Sequence, residues 1–173
     1  MNMQPFTKEI VDQVFQNLWQ RSRDEAELWG KTVESVQEGY IKMIGEPWAL
    51  SFHKSCQSPA AAICYMEVIG HLMWRTHFAA TEEGFNELWM PISRFLKRIS
   101  DFLVGEGNGT GYIEILSDPR NKKAEEWFNV MGFYLLSRTE KVDKYVKFGK
   151  MYHTKAVGHG DNKERVLCAE VIK

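Results

Sequence analysis

Residues 121–133 read NKKAEEWFNVMGF, and their punctuation decides the fold around them. Asn121 stands three residues before Ala124, where an Asn side chain accepts from a free backbone N–H and caps a helix. Ala124, Trp127 and Phe128 then recur at helical spacing. Gly132 supplies the tolerance of positive φ that a helix end often requires, and Phe133 opens the next element. The segment is therefore predicted to be a helix between strands. TGYIEILS (110–117) precedes it as a strand, and FYLLSRTE (133–140) and KYVKFGKMYH (144–153) follow as a hairpin.

Upstream, MNMQPF (1–6) is at most a short edge strand. Thr7 is placed to cap a helix whose apolar positions are Ile10, Val11, Val14, Phe15, Leu18 and Trp19. SRDE (22–25) has capping-box spacing and marks the start of a second helix. A third presents Val33, Val36, Tyr40, Ile41 and Ile44 on one face, and GEP (45–47) ends it. Three strands rich in aromatic and β-branched residues follow as a meander: WALSFHKS (48–55), AAICYMEVIG (61–70) and HLMWRTHFA (71–79). Apolar residues from Phe85 to Leu103 keep a helical period, but Pro91 has no N–H to give. A proline suits the first helical position, so the helix is placed at about 91–104, with TEEGFNELWM (81–90) as a loop or turn. GEGNG (105–109) is flexible punctuation, GHGDN (158–162) a turn and RVLCAEVI (165–172) one more strand.

The totals bound the function. A chain of 173 residues suits one domain with a proper core. Twenty-two basic and 23 acidic side chains balance to −1, so no electrostatic case arises for nucleic acid or an anionic membrane. Three cysteines without a C-x-x-C pair argue against a disulfide scaffold or zinc ribbon and for a reducing compartment. No signal-peptide pattern opens the chain and no apolar run has the length of a membrane span, so a cytosolic-type protein is expected. The expected class is α/β (α+β): one domain over 1–173, with a central mixed, mostly antiparallel sheet flanked by helices. Its parts are N-terminal helices (1–47), core strands and helices (48–152) and a C-terminal extension (153–173).

This order resembles the acyl-CoA N-acyltransferase fold of the Gcn5-related (GNAT) superfamily. Asn121, Ala124, Trp127, Phe128, Gly132 and Phe133 look like its last motif, and the likeness covers roughly 48–152. The resemblance implies that the amides of acetyl-CoA meet the backbone where the fourth strand ends, at Ala79 and Ala80. It also implies that the pyrophosphate lies on a glycine-rich loop at the N-terminus of the next helix. That loop usually reads Gln/Arg-x-x-Gly-x-Gly/Ala. Here Gly84 is the one glycine, Glu82, Glu83 and Glu87 would repel the phosphates, and Trp89 and Met90 are bulky where space is wanted. Many members place a Tyr general acid where this chain has Phe128, which has no proton to give.

A narrower resemblance fits these departures. Short-tailed lytic phages encode a GNAT-like internal virion protein with a degenerate cofactor loop. This chain is similar to it in EAELWGKTVESV (25–36), MWRTHFAAT (73–81) and RFLKRISDFL (94–103). The resemblance implies a virion-associated or assembly protein whose partners are virion or host proteins, located in the virion or host cytoplasm. Rival readings are an active acetyl-CoA-dependent N-acetyltransferase with an atypical pyrophosphate loop, and a host-directed protein-binding effector. Fold alone does not separate these.

Candidate residues follow from both readings. Strand alternation puts His71, Met73, Arg75 and His77 on one face. In an active enzyme a His of this face or a nearby carboxylate would act as base, and His77, Glu67 and Glu114 are the candidates. The plainer reading is a solvated or hydrogen-bonded strand face. The same four residues form no metal signature. Cofactor-binding candidates are Ala79, Ala80, Gly84, Asn121 and Phe128, although Asn121 is favoured as a helix cap and Phe128 as core. Arg120, Lys122 and Lys123 make a small basic cluster that would meet an adenosine phosphate or simply be solvated.

Overall fold

The computed structural model describes residues 1–109, 111–149, 153–157 and 164–168, with side chains for 1–105 and 111–149. In chain order the elements are β1 (Asn2–Pro5), α1 (Lys8–Gln16), α2 (Gln20–Leu28), α3 (Val33–Lys42), β2 (Leu50–His53), β3 (Ala60–Gly70) and β4 (Met73–Ala80). Then come α4 (Glu82–Gly109), β5 (Tyr112–Ser117), α5 (Lys122–Val130), β6 (Tyr134–Arg138), β7 (Asp143–Phe148), β8 (His153–Val157) and β9 (Glu164–Cys168). Seven strands form one sheet in the order β1-β2-β3-β4-β5-β7-β6, and β8 pairs with β9 in a second. The assigned pairs β1–β2, β2–β3, β5–β7 and β6–β7 are antiparallel. The expected mixed α/β sheet flanked by helices is thus present.

The chain divides into two compact units, residues 1–67 with 76–94 and residues 68–75 with 95–173. The first has a core of Phe6, Val11, Val14, Phe15, Leu18, Tyr40, Ile63 and Tyr65, against which Val33, Val36 and Ile41 of α3 pack. Thr7 and Thr32 cap α1 and α3 by accepting from Ile10 N and Ser35 N. In the second, Phe128 of α5 lies 4.9 Å from Tyr145 and 6.4 Å from Phe133, ring centre to ring centre. Beneath these rings Lys147 of β7 is buried, donating to Ser100 Oγ and Met131 O at 2.8 Å each and pairing with Asp101.

Several expectations need correction. α4 begins at Glu82, nine residues before Pro91, and continues through the glycines to Gly109. A mid-helix proline costs roughly 3 kcal/mol. The buried stripe Leu88, Ile92, Leu96, Leu103 and Val104 is long enough to carry the helix across it. Ser93 Oγ donates to Trp89 O nearby, while the carbonyl that Pro91 leaves without its helical N–H is that of Glu87. α2 starts at Gln20, so Ser22 lies inside it and SRDE is not its cap; Trp19 holds that position without a side-chain bond. His71 sits in the turn between β3 and β4 and not on the strand face. Ile44 is 39% exposed beyond the end of α3. KYVKFGKMYH divides into β7 and the start of β8. The GHGDN turn and residues 169–172 of the last expected strand lie outside the described residues.

Candidate functional site

The junction of β4 and α4 is where the resemblance would put a cofactor. A single residue, Thr81, joins Ala80 to Glu82. Thr81 N donates to Ala61 O of β3 at 2.9 Å, and Thr81 Oγ1 accepts from Gly84 N at 3.2 Å. Phe85 N donates to Thr81 O at 3.0 Å. Two of the N–H groups that a helix start would offer an anion are therefore engaged within the chain. Gly84 serves close packing: a Cβ there would lie 2.5 Å from Ala61 Cα and 2.6 Å from Ala61 Cβ. The helix start is pressed flush against β3, and only a glycine allows it.

Successive residues of a strand direct their backbone groups to opposite sides, so Ala80 points away from β3 where Thr81 points toward it. The Ala80 carbonyl accepts from Trp19 N at 3.0 Å, and Leu18 forms an antiparallel bridge with Thr81. Trp19 packs on Phe85 with ring centres 5.7 Å apart. The link between α1 and α2 thus pairs with the end of β4. Ala79 and Ala80 are both buried.

These residues do not fit the pyrophosphate end of a CoA molecule. The turn has no glycine-rich loop, and Glu82 and Glu83 stand in the first turn of α4. Ala80 O, an acceptor that would meet an amide N–H of acetyl-CoA and not a phosphate, is already paired within the chain. Trp89 is 45% exposed and Met90 43%. Asn121 Oδ1 accepts from Ala124 N at 3.2 Å, which is the N-cap geometry. Phe128 is core. Arg120 forms a two-pronged pair with Asp118, at 2.6 Å for Nη2 to Oδ2, which holds that carboxyl below its ordinary range.

The catalytic candidates occupy different surroundings. His77 Nε2 donates to Glu67 Oε2 at 3.0 Å across the β3–β4 hairpin, and its ring stacks on Tyr65 at 4.4 Å. Tyr65 in turn meets Tyr40 edge-on at 4.8 Å. This pair has the composition of a general base, partly open to solvent. Glu114 is buried, and its carboxylate accepts from Arg75 Nε at 2.6 Å, Lys144 Nζ at 2.7 Å and Tyr112 OH at 3.1 Å. Burial alone would raise its pKa, but hydrogen bonds from Lys144 and Arg75 outweigh that and the net shift is downward. A carboxylate so neutralised is a weak base. Sequence reading missed Trp19 and Thr81 because their partners lie far along the chain. No group of three or more metal-ligating side chains occurs among the described residues.

No model of a known protein family matches the sequence, and no curated protein does. Solved structures do match. Spermidine N-acetyltransferase from Vibrio cholerae, in complex with CoA and spermine, is 12% identical with a TM-score of 0.57, covering 86% of this chain and 95% of that one. A GNAT-family acetyltransferase from Bacillus anthracis has a TM-score of 0.60 at 12% identity, covering 83% and 90%. Ribosomal-protein-S5-alanine acetyltransferase from Vibrio fischeri has 0.55 at 12%, covering 86% and 92%. These likenesses establish the fold: the chain has the acyl-CoA N-acyltransferase fold of GNAT enzymes. Among the described residues no helix is long and apolar enough to cross a membrane.

Proposed function

We propose that the chain is a catalytically degenerate GNAT-fold protein that acts through protein contacts, as an internal virion or assembly protein of a short-tailed phage. One observation carries the degenerate part. The turn after β4 is a single residue whose amide is bonded within the chain, and Ala80 O accepts from Trp19 N. Phe128, buried where many relatives of this fold carry a Tyr, supports the same reading. The phage and virion part rests on the resemblance of 25–36, 73–81 and 94–103. Its partners would then be virion or host proteins, and it would need no acetyl-CoA.

The second reading, an active acetyl-CoA-dependent N-acetyltransferase, is favoured by the His77–Glu67 pair. Calorimetric titration with acetyl-CoA separates the two. The expected result is no binding up to millimolar cofactor, and no turnover gained by Phe128→Tyr. Micromolar affinity would overturn degeneracy. Mass spectrometry of purified particles tests the virion role, and absence of the chain there would leave the host-directed effector in its place.

A further inference from the structure

Trp89 and Met90 expose nearly half of their surface on the N-terminal part of α4. On a helix, Glu82 and Trp89 lie on one row at i and i+7, while Glu83, Glu87 and Met90 lie on the next at i, i+4 and i+7. The two apolar side chains are thus flanked on their N-terminal side by three carboxylates. Glu87 pairs with Lys54 at 3.2 Å; among the described residues neither Glu82 nor Glu83 has an ion-pair partner. Pro91 follows at once, and having no N–H it gives none to the Glu87 carbonyl in this same turn.

Glutamates in a first helical turn are favourable to the helix dipole and need no other reason. That account leaves Trp89 and Met90 unexplained. Tryptophan and methionine are enriched at protein interfaces, and tryptophan is prominent among the residues that carry binding energy. Their carboxylate rim favours a partner of opposite charge and repels an acidic one.

We propose that this face of α4 is a docking surface for a protein segment presenting an apolar side chain beside a cluster of Lys or Arg. The apolar knob seats on Trp89 and Met90, and the cations meet Glu82 and Glu83. The surface is the means by which the scaffold role proposed above is exerted, and it rests on that reading.

The test uses the full chain and two synthetic amphipathic peptides, one of Leu and Lys and one of Leu and Glu. Affinity is followed by calorimetry for every variant, and the indole N–H resonance of Trp89 marks the site in the unaltered chain. The Leu/Lys peptide is expected to bind and shift that resonance, and binding weakens as salt is raised. Trp89→Ala is expected to weaken it by about tenfold or more, as truncation of an interface anchor does. The double change Glu82→Lys and Glu83→Lys is expected to abolish it. Equal binding of both peptides, or affinity unchanged by Trp89→Ala, overturns the proposal. A chain that binds acetyl-CoA tightly yet takes the Leu/Lys peptide through Trp89 loses the scaffold reading and keeps this surface. A chain that binds neither loses the surface and keeps the scaffold reading.

Discussion

The Trp19 N–H donates to the Ala80 carbonyl at 3.0 Å, so the residue that opens α2 also completes the hydrogen bonding of β4. Trp19 has φ of −54°, which a proline ring accepts, and Leu18 before it is in a strand bridge that tolerates a following proline. Trp19→Pro therefore removes the donor with little backbone strain, while Trp19→Ala keeps the donor and loses only the ring against Phe85. The proline variant should unfold at lower urea than the alanine variant, by about 1–2 kcal/mol, the cost of a buried carbonyl left without its partner. Equal midpoints would show that the bond contributes nothing.

Gly84 and Gly105 lie in one helix and should respond to alanine with opposite signs. Gly84→Ala drives a Cβ into the backbone of β3 and should cost about 1–3 kcal/mol by overpacking. At Gly105 a Cβ meets nothing within 4 Å, and alanine should stabilise by up to about 1 kcal/mol through helix propensity. Thermal melts of the two variants decide it, and a neutral Gly84→Ala would mean that α4 is not pressed on β3.

Acid stability should depend on Glu114. Its folded pKa lies below the ordinary 4.5 because Lys144 and Arg75 outweigh burial. A carboxylate depressed in this way contributes stability that is fully present above pH 4.5 and is lost as pH falls through the folded value. Glu114→Gln should cost about 1–3 kcal/mol at neutral pH, typical of charged hydrogen bonds. It should also flatten the fall in stability below pH 4.5. Parallel pH profiles for the two proteins would contradict this.

The alkaline limb should be steep. Burial, with Asp143 close by, pushes the Tyr145 phenol from 10.0 up to about 12, and burial raises Tyr40 and Tyr112 as well. Groups raised in the folded state contribute stability that is full below pH 10 and is lost as pH climbs through their folded values. Tyr145→Phe should therefore reduce the slope between pH 10 and 12 in urea unfolding, whereas an unchanged slope would rule the residue out.

What could be read from the chain was what depends on neighbours in sequence. Asn121 as a cap, Gly132 with φ of +84° and Thr7 before α1 need only a few adjacent residues to define them. Glu67 and His77, both named as candidates on neighbouring strands, meet at 3.0 Å across the β3–β4 hairpin, but the turn at 71–72 alone does not fix that pairing. Local rules mislead where packing overrules them: Pro91 argues against a helix through it, yet the apolar stripe runs straight past it. SRDE has the letters of a capping box inside a helix already begun. The closure of the β4–α4 turn was illegible because it depends on Ala61 and Trp19, which no spacing rule connects to Thr81 or Ala80.

Lys147 brings one ammonium group to Ser100 on α4 and to the Met131 carbonyl at the exit of α5. Opening either helix at that point costs a charge-assisted bond to the same ammonium group that holds the other. Amide protons near the end of α5, a short helix that would ordinarily exchange by local opening, should then exchange only as fast as the surrounding core comes apart.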